Sequence, residues 1–161
     1  MFQLKPIYDH SFFDTALYTW SFDVELAASA NTVWDGLTTQ IPLSWCKNIK
    51  GHYISAPPYG VETKRIAKIA NILNLKENFF YWNDAERRHS FYVETMNVPF
   101  FESFAEDYQV TAIEGGSRLR WRFAIEPRSG FKQFVKVNNI INELIFKSFI
   151  NDTKKYFGEK K

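Results

Sequence analysis

Arg65, Glu106 and Tyr108 are the residues of this chain best suited to chemistry in an apolar setting. A guanidinium can hold a carboxylate or an enolate oxygen through two parallel hydrogen bonds. A carboxyl group turned inward shifts its proton affinity, and a phenol carries a polar tip on a large ring. Glu106 shares strand parity with Phe104, Tyr108 and Val110, so a regular strand turns all four the same way. An inward carboxylate needs a partner, and Arg65 is a candidate. Trp121 adds a large ring on the inner face of the next expected strand. His89 is a candidate general base, although Arg87-Arg88-His89 also reads as a polar turn. Plainer roles stay open for each: Arg65 pairing with a glutamate outside the sheet, Glu106 turned outward by a bulge, Tyr108 and Trp121 as core.

Most catalytic signatures are absent. The chain has no Gly-x-Ser-x-Gly elbow, no dinucleotide or phosphate-binding glycine loop, and no His-Glu-x-x-His. Its three histidines, His10, His52 and His89, have no metal-ligand spacing to one another or to Cys46. No metal and no cofactor are therefore expected, and no catalytic residue is assigned. Cys46, beside Trp45, reads as a packed thiol.

A second set of polar residues lies on the element that must close the fold. One long amphipathic helix is expected over residues 131–157, roughly 40 Å at ~1.5 Å per residue. At 100° per residue Phe134, Ile141, Ile145, Phe149 and Tyr156 share one side, with Lys132, Lys136, Glu143, Lys147 and Lys154 opposite. Asn138, Asn142, Ser148 and Asp152 fall on the apolar side. Inward amides require partners, which a bound ligand or an ordered water would supply. The other possibility is that this half of the helix overhangs a cavity mouth and is wet. Arg65, Glu106, Tyr108, Trp121, Asn138, Ile141, Asn142 and Ile145 form the expected ligand-binding set.

The remaining elements are mostly strands. Residues 19–26 alternate Trp20, Phe22, Val24 and Leu26 with polar neighbours. Ser29 caps a short helix carrying Val33, Trp34 and Leu37, and Pro42 can start a second one through Leu43 and Trp45. Strands are expected at 49–55, 63–70, 72–75, 78–82, 90–96, 101–113 and 118–126, with Gly115-Gly116 as a hairpin in which both residues tolerate positive φ. Ser129 is a fair cap for the long helix and Gly158 a fair stop. Residues 1–16 are irregular and aromatic-rich, suited to a strap on the outside. A curved antiparallel sheet needs its concave face covered, and only the terminal helix has the length to do so.

Composition sets the limits. A chain of 161 residues suits one domain, 1–161, with a substantial core. A net charge of +2 gives no reason to expect nucleic acid as a partner. One cysteine allows no internal disulfide, which points to a reducing, cytoplasmic setting. The N-terminus lacks a signal-peptide pattern, and no apolar run is long enough to span a bilayer. Aromatic residues make up 18% of the chain, enough to line an apolar pocket as well as fill a core.

In this order and spacing the chain resembles the START-like helix-grip superfamily (SRPBCC), in its polyketide cyclase/dehydrase and lipid-transport branch. The resemblance is carried by Ser29-Ala30-Asn31-Thr32-Val33-Trp34 after the opening strand, then Leu37, Pro42 and Trp45. It continues through Gly60-Val61-Glu62-Thr63-Lys64-Arg65, the hairpin Tyr108-Gln109-Val110…Gly115-Gly116-Ser117-Arg118-Leu119-Arg120-Trp121, and the terminal helix. Glu62 stands where a second glycine is common. The resemblance implies an α+β helix-grip fold, a curved antiparallel sheet wrapped around the C-terminal helix, with two short helices after the first strand. It also implies binding or transport of a small hydrophobic ligand of lipid, polyketide or aromatic type in an internal cavity. The alternative is a polyketide cyclase or dehydratase using cavity acid–base residues.

Overall fold

The computed structural model describes residues 1–161. Two short N-terminal elements, β1 (Phe2–Gln3) and α1 (Phe12–Thr15), precede β2 (Tyr18–Leu26) and α2 (Ala30–Thr38). Six strands follow: β3 (Ile49–Tyr53), β4 (Lys64–Ile69), β5 (Leu73–Asn83), β6 (Arg88–Met96), β7 (Phe101–Ile113) and β8 (Gly116–Pro127). A single 3-10 turn then leads into α3 (Lys132–Phe157). All strand pairs are antiparallel, in the order β2-β8-β7-β6-β5-β4-β3, with β1 paired beside β6. The sheet curls around α3, which is the helix-grip architecture.

Period-two patterning decides which face of each strand is buried. Val24 and Leu26 in β2, and Leu119, Trp121, Phe123 and Ile125 in β8, point inward. Towards the hairpin their neighbours face solvent and pair across the strands, Arg118 with Glu25 and Arg120 with Asp23. Ser29 caps α2 by accepting the Thr32 N–H. At the β7–β8 hairpin only Gly115 takes a positive φ, 71°. Gly116 serves differently: a Cβ there would collide with the Leu26 carbonyl, so its glycine lets β2 close on β8.

Four local expectations change. The short helix expected from Pro42 is a run of turns, because Leu43 takes a positive φ of 59°. The strands expected at 72–75 and 78–82 are one strand, β5, bulged against β6. Phe131, not Ser129, stands at the N-cap of α3, and Ser129 begins the 3-10 turn before it. The buried stripe of α3 is Val135, Phe146, Phe149, Ile150, Thr153 and Phe157, so Phe134, Ile141 and Tyr156 are exposed. The helix is rotated because its second half is tied to the 39–48 segment. Trp45 Nε1 donates to Thr153 Oγ1 at 3.0 Å, and the Lys47 N–H donates to Asp152 at 2.9 Å.

Residues 1–16 cross the convex face. Phe13 packs on Ala105 and Ala124, the outward residues of β7 and β8. His10 Nε2 lies 2.8 Å from Ser90 Oγ, which donates to Asp107. Arg88 and Arg122 also bond Asp107. Burial works against that carboxylate, but the Arg88 and Ser90 hydrogen bonds hold its pKa below the ordinary value. No helix is long and apolar enough to cross a membrane.

Candidate functional site

Register places Tyr53, Arg65, Glu77 and Val93 in one row across β3, β4, β5 and β6. Arg65 falls on the inner face with Ala67 and Ile69, and Glu77 between Leu75 and Phe79. The two close an ion pair from Arg65 Nε to Glu77 Oε2, with residue exposures of only 3% and 2%. The guanidinium also lies over the rings of Phe91 at 4.5 Å, Phe79 at 5.3 Å and Tyr53 at 5.9 Å. Burial opposes the Arg65 charge, but Glu77, Tyr53 and Tyr108 together outweigh it and raise the pKa further, so the cation is permanent. Burial pushes the Glu77 carboxyl up, with Arg65 acting against the shift.

A second carboxylate sits in the neighbouring part of the interior. Glu106 Oε2 accepts the Tyr108 hydroxyl at 2.7 Å and Trp121 Nε1 at 2.9 Å. Tyr108 and Trp121 are register partners with rings 4.6 Å apart, and both are fully buried. Burial, followed by the Glu77 charge, pushes Glu106 up to about 7, against the Tyr108 and Trp121 hydrogen bonds. Glu77 is bonded to the Arg65 cation, whereas Glu106 bonds only the neutral Tyr108 and Trp121 donors, and a pKa of about 7 leaves it partly protonated near neutrality. A protonated Glu106 beside a phenol is a proton donor in an apolar room.

His89 completes the cluster. It pairs across the sheet with Trp82 and Tyr108 and is packed by the rings of Trp34, Phe79, Trp82 and Tyr108 at about 5 Å. It lies in β6, so the polar-turn alternative does not hold. Neither ring nitrogen has a hydrogen-bond partner. Burial first, then the Arg65 charge, pushes its pKa down to about 3, which leaves a neutral imidazole. Cys46 is also buried, and burial raises its thiol to about 12, the state of an unreactive thiol.

The helix residues of the expected set gather elsewhere. Asn138, Ile141, Asn142 and Ile145 line an apolar groove of about 200 Å³ between α3 and the end of the sheet, with Leu73, Val98, Phe100 and Phe101 opposite. Larger hollows exist: one of about 520 Å³ is a depression outside β3 and β4 whose lining includes Lys50, His52 and Lys68, and one of about 560 Å³ lies between α2 and the end of α3, beside Trp45 and Tyr156. Neither is lined by a residue of the interior cluster. Asn138 satisfies itself by donating to the Phe134 carbonyl at 2.8 Å, and Ser148 does the same with Ile145 at 2.7 Å. The Asn138 N–H is thus satisfied within the helix, whereas the buried Asn139 Oδ1 is not. Phe146 stacks on Phe123 and packs on Phe104, separating the groove from Glu106.

The structure thus brings together Arg65, Glu106, Tyr108, Trp121 and His89, and sets Asn138, Ile141, Asn142 and Ile145 at a separate mouth. Two residues escaped the sequence. Glu77 fell in a gap between two expected strands, yet its parity with Leu75 and Phe79 was a usable signal. Asn139, next to Asn138, has a buried Oδ1 without a partner. The spacing Asn139, Asn142, Phe146 marks the inner face better. No group of three or more metal-ligating side chains occurs.

Residues 19–151 match the family model described as polyketide cyclase / dehydrase and lipid transport. An uncharacterized protein of Mycobacterium tuberculosis is 27% identical over 150 residues, covering 91% of this chain and 88% of that protein. One of Mycobacterium bovis matches equally. Ginseng major latex-like protein 151 from Panax ginseng has the same fold, with a TM-score of 0.69 at 13% identity over 88% of this chain and 97% of its own. The protein XoxI from Bacillus cereus gives 0.67 at 16% identity, over 88% and 96%.

Proposed function

Since this chain belongs to the polyketide cyclase/dehydrase and lipid transport family and is a START-like helix-grip protein, we propose that it binds a small hydrophobic molecule between the curled sheet and the first half of α3. The observation that carries this reading is the groove, where eight of ten lining residues are hydrophobic. Its volume of about 200 Å³ suits a single ring or a short acyl segment, below the ~300 Å³ at which drug-sized sites begin. Asn138 and Asn142 at the wall supply polar points that orient a ligand. A larger ligand would have to displace Phe146 and would then meet Glu106, Tyr108 and Arg65.

The test is titration with an apolar fluorescent dye and its displacement by fatty acids and aromatic ketones. Leu73→Asp puts a charge in the groove wall, and we expect about tenfold weaker binding or more. Unchanged affinity in that variant would remove the groove from the reading.

One observation favours a second reading, a cyclase or dehydratase. Glu106 is a carboxyl group raised to about 7, hydrogen-bonded to a phenol, the equipment of a general acid. In this reading Glu106→Gln abolishes cyclisation or dehydration of a poly-β-ketone substrate while leaving its affinity intact. Turnover that survives the substitution excludes Glu106 as that acid.

A further inference from the structure

The outer face of α3 changes character along its length. Over the first half, Val137 (76% exposed), Ile140 (66%) and Leu144 (60%) form a stripe at helical spacing, widened by Ile141 and Phe134. These residues stand opposite Val135 and Phe146, so they contribute nothing to the core. Over the second half the same outer face carries Asn151 and Lys155, as an ordinary surface helix does. An apolar stripe of this size in water marks a surface that is covered in use.

The rims identify the cover. One edge of the stripe carries Lys132, Lys136 and Lys147 against a single acid, Glu143, which pairs with Lys147 at 2.5 Å. Lys132 and Lys136 stand in no ion pair. The other edge is the lip of the apolar groove, Phe134 and Ile145. A second copy fits this pattern poorly. An antiparallel helix pair sets lysine rim against lysine rim, and a parallel pair sets lysines against the apolar lip. A surface that offers acyl chains to the stripe and phosphates to the lysines satisfies both at once. Ile72, 69% exposed and next in the chain to the groove residue Leu73, adds a further apolar side chain at that end.

We propose that the first half of α3 docks on an anionic lipid surface through Val137, Ile140 and Leu144, with Lys132 and Lys136 on its headgroups. Docked so, α3 holds the open lip of the groove against the bilayer, where apolar molecules are dissolved. The inference stands on the outer stripe, none of whose three central residues lines the groove, so it does not depend on what the groove binds.

The experiment is flotation of the full chain with vesicles of phosphatidylcholine alone, or of phosphatidylcholine with an equal part of phosphatidylglycerol. Binding is expected to the mixed vesicles and to weaken as salt rises. Lys132→Gln and Lys136→Gln should each weaken it about fivefold, and the triple change Val137→Ser, Ile140→Ser, Leu144→Ser by about tenfold or more. All five side chains are exposed, so circular dichroism and dye binding in the groove should not change. No binding to the mixed vesicles, or full binding by the triple variant, overturns the proposal. So does concentration-dependent dimerisation that the triple variant abolishes, because a second copy would then cover the stripe.

Discussion

Phe123 and Phe146 stack face to face, their centroids 3.9 Å apart and their planes 13° from parallel. Phe123 comes from the sheet and Phe146 from α3, so this contact joins the two halves of the grip. It also divides the interior into an apolar groove open to solvent and a buried polar cluster around Glu106. Whatever a ligand does in this protein depends on which side of that stack it stops.

Replacing Phe146 with Ala should join the two compartments. The lost burial and the cavity left behind cost about 3–5 kcal/mol, read as a lower midpoint in urea. At a denaturant-free, stabilising temperature the variant should take up bulkier apolar ligands than the wild type. A variant with unchanged ligand size preference would show that Phe146 is not the divider.

Glu106 should give stability a pH dependence of its own. Its pKa rises on folding from the ordinary 4.5 to about 7. Its contribution is therefore fully present below about 4.5 and lost as pH rises through about 7. Glu106→Gln mimics the protonated form, so it should gain on the wild type by on the order of 2–3 kcal/mol between about pH 5 and about pH 8. A difference between the two proteins that stays flat over this range would contradict the assignment.

His89 should act in the opposite sense. Folding lowers its pKa from 6.5 to about 3, so its contribution is present above about 6.5 and lost as pH falls towards 3. His89→Phe removes the titrating group, and its unfolding free energy should decline less than that of the wild type on acidification. Equal decline in both would place the acid sensitivity elsewhere.

The Arg65–Glu77 pair should fail a half-removal more badly than a full one. Glu77→Leu leaves a buried guanidinium unpaired and should cost about 3–5 kcal/mol. Arg65→Met with Glu77→Leu replaces the pair by apolar side chains among Tyr53, Phe79 and Phe91, and should be more stable than the Glu77→Leu single variant. Additive costs in the denaturation cycle would mean that the two residues do not act as a pair.

Glu62 holds a φ of 68°, in the left-handed region that favours glycine. That conformation costs a side-chain residue about 1–2 kcal/mol, partly offset by the freedom a glycine gains in the unfolded chain. Glu62→Gly should therefore raise stability by about 0.5–1 kcal/mol, measured as a higher urea midpoint. A loss would show that the Glu62 side chain makes a compensating contribution.

Much of this protein was determined by sequence alone. Alternation along β2 and β8 decided which side chains face inward, because successive residues of a strand must point to opposite faces. The same parity put Glu106 beside Tyr108, and the length and position of the terminal helix left it as the only cover for the sheet. The tertiary structure decided the rest. The roll of α3 about its axis was hidden, since its first half is apolar on two sides and only the Trp45–Thr153 and Lys47–Asp152 contacts select which side is buried. The partner of Arg65 was only half legible, because the parity of Glu77 with Leu75 and Phe79 counts only once β5 forms as one strand. The separation of Glu106 from Asn142 depends on a stack between β8 and α3. No local pattern encodes a contact between residues so far apart in the chain.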